Sequence, residues 1–171
     1  MSKIAYPILA AMSACLLSAP ALAVDYVTGS VGDYNALRSG QDHTFLYGLE
    51  YRFDEWQYGI RPIVGGFGTA QGGAYGYAGF DWDVALLPNQ FYLVPNFAVG
   101  AYHDGGGKKL GGTLEFRSGI EVDYQFPNTQ QVGVALNHIS NAGIYNHNPG
   151  EETVLVNYSI PVGTISSWIG R

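Results

Sequence analysis

The segment from Thr113 to Tyr124 constrains this chain more than any other. Leu114, Phe116, Ser118, Ile120, Val122 and Tyr124 alternate with Thr113, Glu115, Arg117, Gly119, Glu121 and Asp123. A period of two places successive side chains on opposite faces of a strand. One face is therefore mostly large and apolar, and the other is charged or small. Residues 44–53 repeat the pattern, with Phe45, Tyr47, Leu49, Tyr51 and Phe53 set against Leu46, Gly48, Glu50 and Arg52. A soluble barrel or sandwich fills its inside with bulky side chains and turns polar ones to water. Here the polar face suits a narrow lumen instead, and the greasy face suits lipid.

Eight such runs are legible, at about 24–33, 44–53, 59–69, 74–84, 91–102, 112–124, 131–140 and 152–160. Each approaches the roughly 9–11 residues that a tilted strand needs to cross a bilayer. Turn residues separate them, among them Asp54-Glu55, Gly72-Gly73, Pro88-Asn89, Gly105-Gly106-Gly107 and Pro127-Asn128. Composition agrees: 24 glycines and 24 aromatic residues in 171, with only 13% charged. The expected fold is all-β, an eight-stranded antiparallel transmembrane β-barrel, whose closure leaves no unpaired edge in lipid. Eight Lys and Arg against 14 Asp and Glu give a net charge of −6, which argues against a nucleic-acid partner.

Residues 1–23 read as a secretory signal peptide: an early Lys3, an apolar run, Pro20 and a small-residue end at Ala21-Leu22-Ala23. Cleavage there removes Cys15, the sole cysteine, and leaves 24–171 as one barrel domain without thiol chemistry. Lipidation of Cys15 fits poorly, because Leu16-Leu17 would follow the modified residue. With a periplasmic N-terminus, the connections near 34–43, 70–73, 103–111 and 141–151 face outward. All but 70–73 are long, as outer loops tend to be.

The stretch 132–160 carries the chemistry. Val132, Val134, Leu136, His138 and Ser140 share one face of a strand. Glu152, Val154, Val156, Tyr158 and Ile160 share a face of the next. A hairpin symmetric about Tyr145 sets His138 opposite Glu152, with Cβ atoms about 4.5–5.5 Å apart. Ser140 lies about 6.6–6.8 Å further along. Polar groups on a lipid-facing surface are costly and call for a reason. A Ser–His–carboxylate triad supplies one, since imidazole takes the serine proton and the carboxylate fixes its tautomer. The plainer reading is a set of polar residues at the edge of the apolar belt. Glu151 offers an alternative acid, but its parity turns it inward.

His138-Ile139-Ser140-Asn141-Ala142-Gly143, with Glu152 fourteen residues after the histidine, resembles the signature of the lipid A 3-O-deacylase (PagL) family. The similarity continues through Tyr158-Ser159-Ile160-Pro161 and, more loosely, along all eight strands. The resemblance implies an outer-membrane esterase of a Gram-negative cell that removes the 3-position acyl chain of lipid A, without a cofactor. His138 would be the base, Ser140 the nucleophile, Glu152 the orienting acid and Asn141 part of the oxyanion hole. The substrate would be lipopolysaccharide, and the oligomeric state stays open, a homodimer included. Residues 162–171 depart from the pattern by running past the expected end of the last strand.

Other candidates are of lesser weight. Arg38, Lys108, Lys109 and His147 fall in outer loops, where they could meet the phosphates or sugars of such a substrate. His43 and His103 read as solvated loop residues. No spacing suggests a metal site, and Gly105-Gly106-Gly107-Lys108-Lys109 lacks the spacing and setting of a phosphate loop. Glu50, Arg52, Glu115, Arg117 and Glu121 read as an ionic network in the lumen. The competing classes are a non-catalytic outer-membrane adhesin or scaffold and a soluble ligand-binding barrel.

Overall fold

The structure, a computed structural model, describes residues 24–37, 43–87 and 90–170. The signal peptide, Arg38, Pro88-Asn89 and Arg171 lie outside the described residues. Among the described residues nine strands form one antiparallel sheet: β1 (Tyr26–Tyr34), β2 (Thr44–Arg52), β3 (Ile60–Thr69), β4 (Ala74–Trp82), β5 (Val84–Leu87), β6 (Phe91–His103), β7 (Leu114–Gln125), β8 (Gln131–Ser140) and β9 (Glu151–Pro161). β4 and β5 pair with successive stretches of β6 and together form one stave, so the wall has eight. β1 pairs with both β2 and β9, and β4 with both β3 and β6, which closes the barrel. The strand bounds depart from the sequence expectation by two residues or fewer, apart from the break at Asp83. There the backbone N–H donates to Gly59 O, and the carboxylate takes Arg61 at 3.1 Å.

The alternation sorts as the period-two pattern requires. Phe45, Tyr47, Leu49, Phe97, Ile120, Val122, Val134 and Val156 are exposed on the outside. Glu50, Arg52, Asp81, Arg117, Glu121 and Asp123 are buried inside. Arg52 bridges Glu50 and Glu121, each at 2.8 Å, with Asp81 at 3.3 Å and Asp123 at 3.5 Å. Arg117 holds Glu50 at 3.1 Å and lies over the Tyr77 ring, 4.0 Å from its centroid. Pairing of this kind offsets the cost of taking the charges out of water. Glu115 also points inward but, among the described residues, forms no salt bridge with either arginine.

One element was not expected. A short helix, α1 (Val162–Ile169), follows β9 directly. Eight residues give barely two turns, too few for a helical period to stand out in a sequence dominated by alternation.

Candidate functional site

His138 and Glu152 meet at one end of the barrel, near Ala36-Leu37 and the 141–150 connection, and no hydrogen bond joins Ser140 to His138 among the described residues. In the β8–β9 ladder His138 is the register partner of Glu152. Their side chains touch, with His138 Nδ1 3.2 Å from Glu152 Oε1. Both face outward: the His138 side chain is 47% exposed and that of Glu152 is 20% exposed. The neighbouring Ile139, Glu151 and Thr153 are buried, so parity holds on both strands. Ser140 closes β8 on the same outer face and pairs with Phe116 of β7. A carboxylate only accepts, so this contact has Nδ1–H as its donor.

Three further residues shape the site. Ser118 of β7 is the register partner of His138 on the side away from Glu152. It is exposed on the outer face and lines the same groove as His138. The arithmetic that pairs 138 with 152 about Tyr145 also pairs 118 with 138 about Asn128, so this signal was present in the sequence. Gly150, at φ +66°, lies against the imidazole: a Cβ there would come within 2.8 Å of His138 Cε1. Leu37 follows Ala36, whose N–H donates to Glu152 O at 2.9 Å. Leu37, Ser118, Gly119, Ile120, Leu136, Asn137, His138 and Glu152 line an open groove of roughly 390 Å³ on the barrel exterior. Its apolar lining is Leu37, Gly119, Ile120 and Leu136, beside the polar Ser118, Asn137, His138 and Glu152.

Asn141 departs from its expected role. Its Nδ2 donates to Leu110 O at 2.8 Å and His147 O at 2.9 Å, while Gly143 N–H donates to its Oδ1 at 3.0 Å. An amide nitrogen has two hydrogens. Both are committed, and the side chain is fully buried. Asn141 thus ties the 141–150 loop to the 104–113 loop. Ile144 N–H donates to Asn141 O at 3.0 Å, and Ala142 and Gly143 take φ values of +53° and +78°. That is the tight turn with two left-handed central residues. The two loops also meet where Gly112 lies under the Tyr145 ring, since a Cβ would fall 1.9 Å from Tyr145 Cε2.

Lys108 is placed differently from the surface cation expected. Its Nζ reaches Glu151 Oε2 at 2.8 Å and Asn35 Oδ1 at 3.0 Å in the barrel mouth. The ammonium neutralises a fully buried carboxylate there, so it does not stand ready for a phosphate. Lys109 and His147 are exposed in the two loops. Glu151 points inward, as its parity requires. Among the described residues no three His, Cys, Asp or Glu side chains gather as a metal site.

The sequence profile of the family described as Lipid A 3-O-deacylase (PagL) matches residues 38–161. This chain belongs to that family. A lipid A deacylase PagL of Pseudomonas aeruginosa is 30% identical, over 91% of this chain and 95% of its own. The crystal structure of the outer membrane enzyme PagL superposes with a TM-score of 0.61 at 25% identity, over 80% of this chain and 99% of that one. A de novo designed transmembrane β-barrel matches at TM-score 0.57 and 13% identity, over 82% of this chain and 96% of its own, a likeness of fold alone. The PagL match includes His138, Ser140, Asn141 and Glu152 and stops at Pro161, so α1 lies outside it. With this membership and an apolar outer face, the chain is an outer-membrane barrel.

Proposed function

We propose that this chain is a serine esterase that hydrolyses the 3-position acyl ester of lipid A, reached sideways from the outer leaflet. The observation that carries this reading is the His138–Glu152 contact of 3.2 Å on the outside of the wall, in a groove that Leu37, Ile120 and Leu136 also line. Ser140 Oγ gives its proton to His138 Nε2 and attacks the ester carbonyl. Glu152 accepts from Nδ1 and steadies the imidazolium. Collapse of the tetrahedral intermediate expels the sugar hydroxyl, which takes its proton back from His138. Water, activated by the same imidazole, then frees the fatty acid from Ser140.

The developing oxyanion needs a donor within about 3 Å. The backbone N–H of Ala142 carries no hydrogen bond among the described residues and sits two residues beyond Ser140. It takes this role, and Asn141 holds the turn that presents it. Leu37, Ile120 and Leu136 receive the acyl chain, while Lys109 and His147 face the headgroup.

Expression in a Gram-negative outer membrane, followed by mass analysis of extracted lipid A, tests the proposal. Loss of one hydroxyacyl chain, abolished by Ser140→Ala and by His138→Asn, is the expected result. Unchanged lipid A with a folded wild-type barrel would favour a non-catalytic scaffold.

A further inference from the structure

The helix α1 begins where β9 leaves the wall, at the rim opposite His138. Val162 N–H donates to Asp25 O at 2.9 Å, which ties its first turn to the start of β1. At 100° per residue, Val162, Ile165, Trp168 and Ile169 fall on one stripe about 120° wide. Gly163, Thr164, Ser166 and Ser167 occupy the rest. The two serine hydroxyls bond back to Val162 O at 3.0 Å and Thr164 O at 2.7 Å, so the polar face is internally satisfied. No charged residue lies between 162 and 170. Nothing in the helix is buried, and Trp168 and Ile169 are 55% and 80% exposed.

The surroundings identify the occupant of that stripe. The same rim carries Phe53, Trp56, Trp82 and Phe91, all exposed on the outer surface. Such aromatics form the girdle at which a barrel meets lipid headgroups. The helix leaves the wall within this girdle, so its apolar stripe continues the lipid-facing surface. A short amphipathic helix with Trp and Ile on one side lies along such a boundary. We propose that Val162–Ile169 is an interfacial anchor, with Trp168 and Ile169 inserted among the phospholipids of the leaflet opposite the His138 site.

The test uses chain 24–171 refolded into phosphatidylcholine vesicles, with Trp56→Phe and Trp82→Phe leaving Trp168 as the sole indole. A matching protein that retains only Trp82 serves as the ruler within the wall. Phospholipid brominated on the upper acyl carbons is expected to quench Trp168 to a degree comparable with Trp82. Aqueous iodide is expected to quench it several-fold less than in the urea-unfolded chain. Ile165→Asp combined with Ile169→Asp should abolish the bromine quenching, while heat-modifiable gel migration shows the barrel retained. Full iodide access without bromine quenching in the folded barrel would overturn the proposal. So would lipid protection seen only at high protein-to-lipid ratios, because that would mark contact between copies.

Discussion

His138 and Glu152 face each other directly across the β8–β9 ladder, and their side chains meet at 3.2 Å on the outside of the barrel. On the proposed mechanism the carboxylate orients the imidazole and does not attack the ester. Glu152→Ala should therefore retain about 10²-fold more activity than Ser140→Ala, as orienting acids do relative to nucleophiles. Single-turnover release of fatty acid by each folded variant measures this difference. Equal activities would remove the division of roles.

Gly150 leaves room for His138. A methyl group at 2.8 Å from Cε1, at a positive φ, either pushes the ring or strains the loop. Gly150→Ala should lower kcat by about 10²-fold, the scale of a misplacement near 1 Å, with the barrel still folded. Steady-state hydrolysis paired with heat-modifiable migration checks it. An unchanged kcat would separate Gly150 from the site.

Arg52 answers four carboxylates inside the barrel. Arg52→Met leaves Asp81, Glu121 and Asp123 buried without their cation, while Glu50 keeps Arg117, a loss of about 3–5 kcal/mol. Urea titration of the barrel in vesicles measures that loss. Activity per folded molecule should stay near wild type, because the network lies within the lumen and the groove lies outside.

Lys108 and Lys109 are adjacent in sequence but differ in task. Lys108→Met should lower stability, since Glu151 then loses its counter-charge, and should leave KM unchanged. Lys109→Ala should raise KM for phosphorylated lipid A and leave stability unchanged. Reversal of the two effects would return Lys108 to the substrate surface.

The strands and the His138–Glu152 pairing were legible because alternation and hairpin symmetry are local properties. Parity alone assigned His138, Ser140 and Glu152 to the lipid face and Glu151 to the lumen. Lys108 was not legible, because its partners Asn35 and Glu151 come from other parts of the chain. Asn141 escaped for the same reason: its acceptor Leu110 O belongs to a separate loop. Helix α1 carries its pattern over too few residues to compete with the strands before it.

Ser118 and Ser140 both share the outer face with His138, so the decisive measurement is which oxygen becomes acylated. The folded barrel can be treated with a long-chain alkyl fluorophosphonate, digested, and the adduct located by mass. The account predicts a single adduct on Ser140, lost in His138→Asn and retained in Ser118→Ala. An adduct on Ser118, or labelling of Ser140 that persists without the histidine, would contradict it.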